Sequence, residues 1–210
     1  MSTPRSARPS RLRSAGVLVV VVLTAACTTP EARRPAKLER SEGGGFSLHQ
    51  QLQASHGART DFDRALHLLE REQYASAIEL LEGVTREAPE AVAAHIDLGI
   101  AHARRDDLER AQRSLERALE LEPNHPVAHN ELGIVHRRAG RFAEARRSYE
   151  AALAIHPGFH YARKNLAILC DLYLADPSCA LEHYQHYGRA NPADPEVAMW
   201  IADLENRTGR

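Results

Sequence analysis

The sequence predicts an all-α protein built from repeated pairs of helices. Only 5% of its 210 residues are aromatic although 43% are hydrophobic. Its core therefore has to be made of Ala, Leu, Ile and Val, which suits closely packed helices better than a β-sandwich. Apolar residues recur at helical spacing, for example at Leu108, Ala111, Leu115, Ala118 and Leu119. A 34-residue stretch is also followed directly by a second stretch that aligns with it without a gap.

The repeat becomes visible when residues 92–125 are placed over residues 126–159. Small residues then coincide where two paired helices must approach closely, and prolines coincide where the second helix must end. Gly140 would lie in the turn between the two helices of its unit. The coinciding pairs are His95/His129, Leu98/Leu132, Gly99/Gly133, Ile100/Ile134, His102/His136, Arg104/Arg138, Ala111/Ala145, Ala118/Ala152, Leu119/Leu153 and Pro123/Pro157.

A 34-residue unit with Leu-Gly near its start, Ala at its middle and at two thirds of its length, and Pro near its end resembles the tetratricopeptide repeat. The resemblance implies a solenoid of helix-turn-helix units, about three to four repeats plus a C-terminal capping helix. The units would occupy residues 58–91, 92–125, 126–159 and 160–193. The first unit lacks the Leu-Gly pair, as terminal repeats often do.

The last unit is one residue longer than the others. In its turn, Asp176 can cap the second helix and Pro177 can occupy the first helical position. Residues 194–210 would form the capping helix and tail, with one apolar stripe that seals the open end of the stack. The stripe consists of Val197, Trp200, Ile201 and Leu204.

The N-terminus has the features of an exported lipoprotein. Residues 15–26 are an apolar run of 12 residues, too short to span about 30 Å of hydrocarbon, for which roughly 20 helical residues are needed. The run ends in Leu-Thr-Ala-Ala-Cys27, which resembles the lipobox of bacterial lipoproteins. The resemblance implies that residues 1–26 are a signal peptide and that Cys27 is lipidated. An uncleaved short anchor and a conventional signal peptide are the alternatives.

The segment after Cys27 is expected to be a tether. Thr28 rather than Asp follows the cysteine, which by resemblance to Gram-negative lipoproteins implies an outer-membrane lipoprotein that faces the periplasm. Residues 28–45 combine two prolines, mixed charge and three glycines and cannot bury a core. We therefore expect residues 27–57 to be the lipid anchor and a flexible tether. Within them, residues 46–57 form either a linker or a leading helix.

The charge excludes some partners. The formal net charge is −1, but removal of residues 1–26 leaves 23 basic against 28 acidic residues, a balance of −5. A mature chain of that sign has no bulk attraction to nucleic acid or to an anionic membrane surface. Contact with the membrane is therefore expected through the N-terminal lipid alone.

No pattern of catalytic or metal chemistry is present. HExxH, a nucleotide-binding Gly-rich loop and a nucleophile elbow are all missing from the sequence. His95 and His102, like His129 and His136, are seven residues apart, about 10.5 Å along one helix, which is too far to share an ion. We expect these histidines to pack between helices. The predictions are thus no enzyme, no cofactor, no metal and no small-molecule substrate.

Cys170 and Cys179 are the remaining cysteines. If the signal peptide directs export, both lie in a compartment that favours disulfides, and a bond would join the two helices of the last unit across its longer turn. Two small buried thiols are the alternative. We hypothesise that Cys170 and Cys179 form this disulfide.

The concave face is the candidate binding site. By resemblance, positions 2, 5, 9, 12 and 13 of each first helix line the groove of this family. An apolar floor with a cationic rim would suit an extended segment or amphipathic helix that carries acids. The alternative is that the isoleucines pack between helices and the arginines form a solvated rim. The candidate residues are Ile100, Arg104, Asn130, Ile134, Arg137, Arg138, Tyr161, Lys164 and Ile168.

The tether and the groove together predict a lipid-anchored scaffold that binds a protein of the cell envelope. The chain resembles the tetratricopeptide lipoproteins that help assemble pili and their outer-membrane secretins. Phe62 and Leu66 stand where the carboxylate clamp of this family has Lys and Asn, which disfavours a receptor for chaperone tails. Two alternatives stay open: an adaptor of an envelope enzyme such as a peptidoglycan hydrolase or protease, and a histidine-based binder of a metal or small ligand.

Overall fold

The computed structural model describes residues 37–40, 46–49 and 54–209. Strands β1 (Lys37–Arg40) and β2 (Phe46–His49) pair in antiparallel register, with Lys37 opposite His49 and Arg40 opposite Phe46. The segment predicted as a flexible tether therefore contains a short strand pair. β2 (Phe-Ser-Leu-His) alternates apolar and polar residues, a period of two that favours a strand, whereas β1 (Lys-Leu-Glu-Arg) has a single apolar residue. The predicted signal peptide and Cys27 lie outside the described residues.

Nine helices follow in the part of the chain that the structure describes. They confirm the predicted all-α, helix-turn-helix architecture as four helix pairs and a final single helix. The helices are α1 (His56–Glu70), α2 (Tyr74–Glu87), α3 (Val92–Arg104), α4 (Leu108–Leu121), α5 (Pro126–Arg138), α6 (Phe142–Ile155), α7 (His160–Leu172), α8 (Pro177–Ala190) and α9 (Pro195–Thr208).

The helices lie in two layers. Successive first helices contact each other directly, α1 with α3, α3 with α5, and α5 with α7. Each second helix packs on the first helix of its own pair and on the next helix of the chain, but among the described residues no two second helices bring Cα atoms within 8 Å of each other. The first helices are therefore closer together than the second helices. The stack curves with α1, α3, α5 and α7 on its inner, concave face.

Two glycines allow the helices of a pair to approach closely. A Cβ on Gly99 would lie 2.6 Å from Cγ of Leu115, and a Cβ on Gly133 would lie 2.5 Å from Cε1 of Tyr149. Leu115 and Tyr149 are fully buried, so neither can easily move aside. The predicted need for small residues at these two positions is confirmed.

The turns between paired helices share one residue in a left-handed backbone conformation. Glu72, Asp106 and Gly140 have φ of 58°, 66° and 74° and occupy the same position of consecutive units. Only the third is glycine, the residue that adopts this left-handed conformation without steric cost. In the last pair the left-handed residue occurs one position later, at Ala175 with φ 51°. The extra residue of this unit therefore lies in the turn before Ala175.

The predicted ends of the helices are also confirmed. The second helices α4 and α6 end at Leu121 and Ile155, two residues before Pro123 and Pro157. The Asp176 side chain accepts a hydrogen bond from the backbone N–H of Cys179 and thereby caps α8. Asp194 does the same for α9 through Glu196.

Helix α9 closes the stack. Val197 and Leu204 are buried, and Trp200 and Ile201 pack against the same apolar cluster, which also contains Tyr184 of α8. The predicted capping helix and its apolar stripe are thus confirmed. Within the described residues, no helix is both long enough and apolar enough to cross a bilayer.

Candidate partner-binding groove

The groove is the inner face formed by α1, α3, α5 and α7, and its floor is only partly apolar. Ile100, Ile134 and Ile168 occupy position 9 of three consecutive first helices. All three are half-buried and pack against the apolar clusters between the helices. They therefore contribute to packing as well as to the floor, and only part of each side chain faces a ligand.

Three of the four predicted groove cations are engaged within the chain. Arg138 donates hydrogen bonds to the carbonyl oxygen of Ala103 and, at 2.9 Å, to Oδ1 of Asp106. These bonds fasten α5 to the turn that follows α3, so Arg138 connects neighbouring repeats. Fewer positive charges at the edge of the groove are therefore available to a partner than the sequence suggests.

Arg137 and Lys164 are held by aromatic rings. The Arg137 guanidinium lies 5.6 Å from the centre of the Tyr173 ring and donates to its hydroxyl at 3.4 Å. Lys164 Nζ donates to Oδ2 of Asp194 at 3.1 Å and lies 5.3 Å and 5.1 Å from the ring centres of Tyr187 and Trp200. The Arg137 contacts join α5 to the residue that follows α7, and the Lys164 contacts join α7 to α8 and α9.

Arg104 is exposed at position 13 of α3. Its charge lowers the pKa of Glu131, against the larger upward effect of burial. It makes no hydrogen bond or ion pair with the residues that the structure describes. Arg104 is therefore the predicted groove cation that is most accessible to a partner.

Exposed apolar side chains mark the C-terminal part of the groove. Tyr161 is 54% exposed, Leu172 69% and Met199 62%. In the repeat register Tyr161 and Leu172 of α7 occupy positions 2 and 13, which are groove positions, and Met199 of the capping helix α9 occupies the equivalent of position 5. The sequence analysis included Tyr161 but missed Leu172 and Met199. The signal that could have found them is the repeat register, continued through α7 and into the capping helix.

The groove also contains a polar row that the sequence analysis found only in part. Asn165 donates to Oδ1 of Asn130 at 2.9 Å, and Asn130 donates to Oε1 of Glu131 at the same distance. Asp97 precedes Glu131 by one repeat. Burial raises the pKa of Asp97 to about 7, with a further contribution from the charge of Glu131. Burial also raises the pKa of Glu131.

The histidines have structural contacts. His95 and His129 bond through Nε2 to the carbonyl oxygens of Pro89 and Pro123, at 3.0 Å and 2.9 Å. In the next repeat Arg163 takes the same position and donates to Pro157 at 2.7 Å. The side chain at position 4 thus ties each repeat to the end of the preceding one.

The second histidine of each pair is buried between helices. His102 is 3% exposed and His136 is 9% exposed, and Nδ1 of His136 lies 3.3 Å from Oγ of Ser148. Burial lowers the pKa of both histidines. In the part of the chain that the structure describes, no three His, Cys, Asp or Glu side chains are placed to hold a metal ion together.

Cys170 of α7 and Cys179 of α8 form a disulfide, with Cα atoms 5.9 Å apart. The bond crosses the turn that contains the extra residue. Its effect is to close a short loop at the end of the groove, next to Leu172.

The sequence and the fold define the class of protein. Residues 62–111 and 97–158 match the tetratricopeptide repeat family. Together with the helix pairs described above, this match shows that residues 62–158 carry tetratricopeptide repeats within a helical solenoid. No curated protein sequence matches the chain.

Several solved structures share this fold. One is MamA, residues 41 to the end, from Desulfovibrio magneticus RS-1, with a TM-score of 0.66 and 21% identity over 74% of this chain and 88% of that chain. Another is PilF of Pseudomonas aeruginosa, with a TM-score of 0.66 and 22% identity over 72% and 68%. A third is PilW, described as a widely conserved type IV pilus biogenesis factor, with a TM-score of 0.65 and 20% identity over 74% and 72%. At these identities the likeness shows a shared fold.

Proposed function

We propose that this protein is a lipid-anchored scaffold of the cell envelope that holds a segment of a partner protein in its groove and catalyses no reaction. The observation that carries the proposal is the exposure of Tyr161, Leu172 and Met199 at groove positions. Exposed large apolar side chains that are scattered singly need no explanation. Here three such side chains fall on the positions that line one concave face, which favours a protein ligand.

Assembly of an envelope complex, such as a pilus or its secretin, is the process that we propose. The lipobox-like sequence that ends in Cys27 supports a position at the outer membrane, facing the periplasm. The shared fold with PilW, a type IV pilus biogenesis factor, supports the link to pili. A scaffold of this kind positions one component while others assemble, and the segment between Cys27 and α1, which includes the β1–β2 pair, would separate it from the lipid surface.

Crosslinking in intact cells tests the proposed groove. A photoreactive residue at Tyr161 should capture a pilus or secretin component, because this side chain is 54% exposed at a groove position whereas Ile134 is half-buried. The same residue at Arg113, exposed on the outer helix α4, is the matched control and should capture no such component. Leu172→Ala combined with Met199→Ala should reduce capture at Tyr161 by about tenfold or more.

The identity of the captured protein decides between the two classes of function. Capture of a peptidoglycan hydrolase or protease would replace the assembly function by the adaptor function. Equal capture from Tyr161 and Arg113, or unchanged capture by the double variant, would contradict the groove as the binding site. Because all of these side chains are exposed, the variants should keep the helical content of the parent protein.

A second experiment tests the anchor. We expect Cys27→Ala to move the protein from the membrane fraction to the soluble fraction, because no acyl chains can then be attached. A Cys170→Ala/Cys179→Ala variant, which removes the other two cysteines, should stay in the membrane fraction. Fractionation followed by immunodetection measures both. Membrane retention of the Cys27 variant would argue against lipidation.

A further inference from the structure

One cation of the groove is surrounded by aromatic side chains. Arg137, at position 12 of α5, is half-buried. Its guanidinium carbon lies 5.6 Å from the centre of the Tyr173 ring, and Nη1 donates to the Tyr173 hydroxyl at 3.4 Å. A second ring, that of Tyr149, lies against Gly133, one helical turn before Arg137 on α5. Burial raises the pKa of Tyr149 to about 12, and the nearby charge of Arg137 opposes the rise.

This cluster lacks a hydrogen-bond acceptor. Nε of Arg137 and the hydroxyl oxygen of Tyr149 are shut off from water, and neither has a hydrogen-bond partner among the described residues. Of the Arg137 nitrogens, only Nη1 donates to a described residue. A guanidinium can only donate, and a tyrosine hydroxyl that accepts from it still has a proton to donate. Aromatic rings attract the cation but supply no negative charge. The missing group is therefore an acceptor, and an anionic one fits best.

The other cations on the inner face of α3 to α9 each have a carboxylate of their own. Asp171 occupies the position of α7 that is equivalent to Arg137, but it pairs with Arg207 at 2.9 Å. Arg104 lies near Glu131 and lowers its pKa, against the larger upward effect of burial. Arg137 forms no ion pair with any residue that the structure describes. The remaining pairs are Arg138 with Asp106 at 2.9 Å and Lys164 with Asp194 at 3.1 Å.

Exposed apolar surface adjoins the Arg137 cluster. Leu172, at groove position 13 of α7, is 69% exposed, and Tyr173, the next residue, is 42% exposed. Phe142 of α6 supports the Tyr173 ring, with the two ring centres 4.9 Å apart. The disulfide of the last repeat closes the short loop that carries Leu172 and Tyr173. The donors and the apolar side chains are therefore held in place before a ligand arrives, which lowers the cost of binding.

We propose that the partner segment places the carboxylate of an Asp or Glu side chain on Arg137 and Tyr173, and an apolar side chain against Leu172. The inference rests on the proposed function, because it specifies the segment that the groove holds. One carboxylate oxygen accepts from Nη2 of Arg137. The other accepts from the Tyr173 hydroxyl, whose own proton is available because its oxygen accepts from Nη1. Charge-assisted hydrogen bonds of this kind are about twice as strong as neutral ones.

Selection of short random peptides on the immobilised full-length protein tests the inference. The displayed peptides are fused through their C-termini, so that side chains supply their only carboxylates. We expect enrichment of Asp or Glu at one fixed position, with a large apolar residue close to it. Arg137→Gln should bind a selected peptide about tenfold more weakly or worse. The matched control is Arg113→Gln, which removes an exposed charge from the outer helix α4 and should leave the affinity unchanged.

A second variant separates binding from folding. Tyr173→Phe keeps the half-exposed ring and removes only the hydroxyl, so it should weaken binding by about threefold or more while the helical content stays that of the parent. Arg137→Gln should also stay folded, because Arg137 has no ion pair to lose among the described residues. Unchanged peptide affinity in both variants would overturn the inference.

The peptide itself supplies the last part of the test. Exchange of its acidic residue for the corresponding amide should weaken binding to the parent protein but hardly change binding to Arg137→Gln, because the two groups act as a pair. Enrichment of Lys or Arg, of no charge at all, or of acids equally by the Arg137→Gln protein would overturn the inference and leave a binding groove in place. Selection of no peptide by the parent protein would overturn the inference together with the proposed function.

Discussion

Gly133→Ala should destabilise the repeats by about 1–3 kcal/mol, although alanine is the better helix former by about 1 kcal/mol. The new Cβ would lie 2.5 Å from Cε1 and 2.6 Å from Cδ1 of Tyr149. The Tyr149 ring is fully buried between helices, and protein interiors are closely packed. Either the ring leaves its rotamer or α5 moves away from α6, and both changes cost packing energy.

Denaturant unfolding followed by circular dichroism measures the effect. Gly83→Ala is the control, because Gly83 lies inside α2 and its added Cβ would meet nothing within 4 Å. That variant should gain up to about 1 kcal/mol from helix propensity alone. Equal stabilisation by both substitutions would show that α5 and α6 do not approach as closely as the structure indicates. Gly99→Ala, with a Cβ 2.6 Å from Cγ of Leu115, should behave like Gly133→Ala.

Asp97→Asn should stabilise the protein at pH 8 by about 1–3 kcal/mol and have little effect at pH 4. The ordinary pKa of this carboxyl, 3.8, rises to about 7 in the folded state. Between these values the folded protein keeps a proton that the unfolded chain has lost, so the Asp97 contribution to stability falls as the pH rises. Asparagine stays neutral throughout and removes this loss.

The unfolding midpoints of the parent protein and the variant, measured from pH 4 to pH 8, test the direction of this pH dependence. The difference between the unfolding midpoints of the two proteins should increase as the pH rises towards about 7 and then stay constant. Asp63→Asn, the exposed equivalent in α1, should shift the midpoint little at any pH. A gap that is the same at pH 4 and pH 8 would mean that the carboxyl ionises normally.

The regular features of the fold were predictable because they repeat. The boundaries of the middle units, the small residues at Gly99 and Gly133, and the ends of α4 and α6 before proline all follow from comparing one 34-residue stretch with the next. The capping helix was predictable from its apolar stripe and its Asp-Pro start. The short pairing of β1 with β2 was not predicted, because the glycines, prolines and charges of that segment indicate a linker and only the four residues of β2 alternate.

The sequence predicted which charged residues lie in the groove, but it did not predict their partners. Arg138 and Lys164 do lie at groove positions, yet their partners Asp106 and Asp194 are 32 and 30 residues away in the chain. No local pattern connects residues at such a separation. Met199 was missed because the extra residue of the last unit shifts the register that continues into α9. Leu172 precedes that residue and lies one repeat after Arg138, so the regular register was sufficient to find it.

By itself, the sequence determined the helical repeat, its period, its turns and its final helix, because these depend on helix geometry and on side chains a few residues apart. Only the tertiary structure decided which groove charges are free. Asp63, Asp97 and Glu131 occupy the same repeat position, but Asp63 is exposed whereas Asp97 and Glu131 are half-buried. The reason is physical: burial and pairing of a charge depend on which helix packs over it, and that neighbour comes from another repeat.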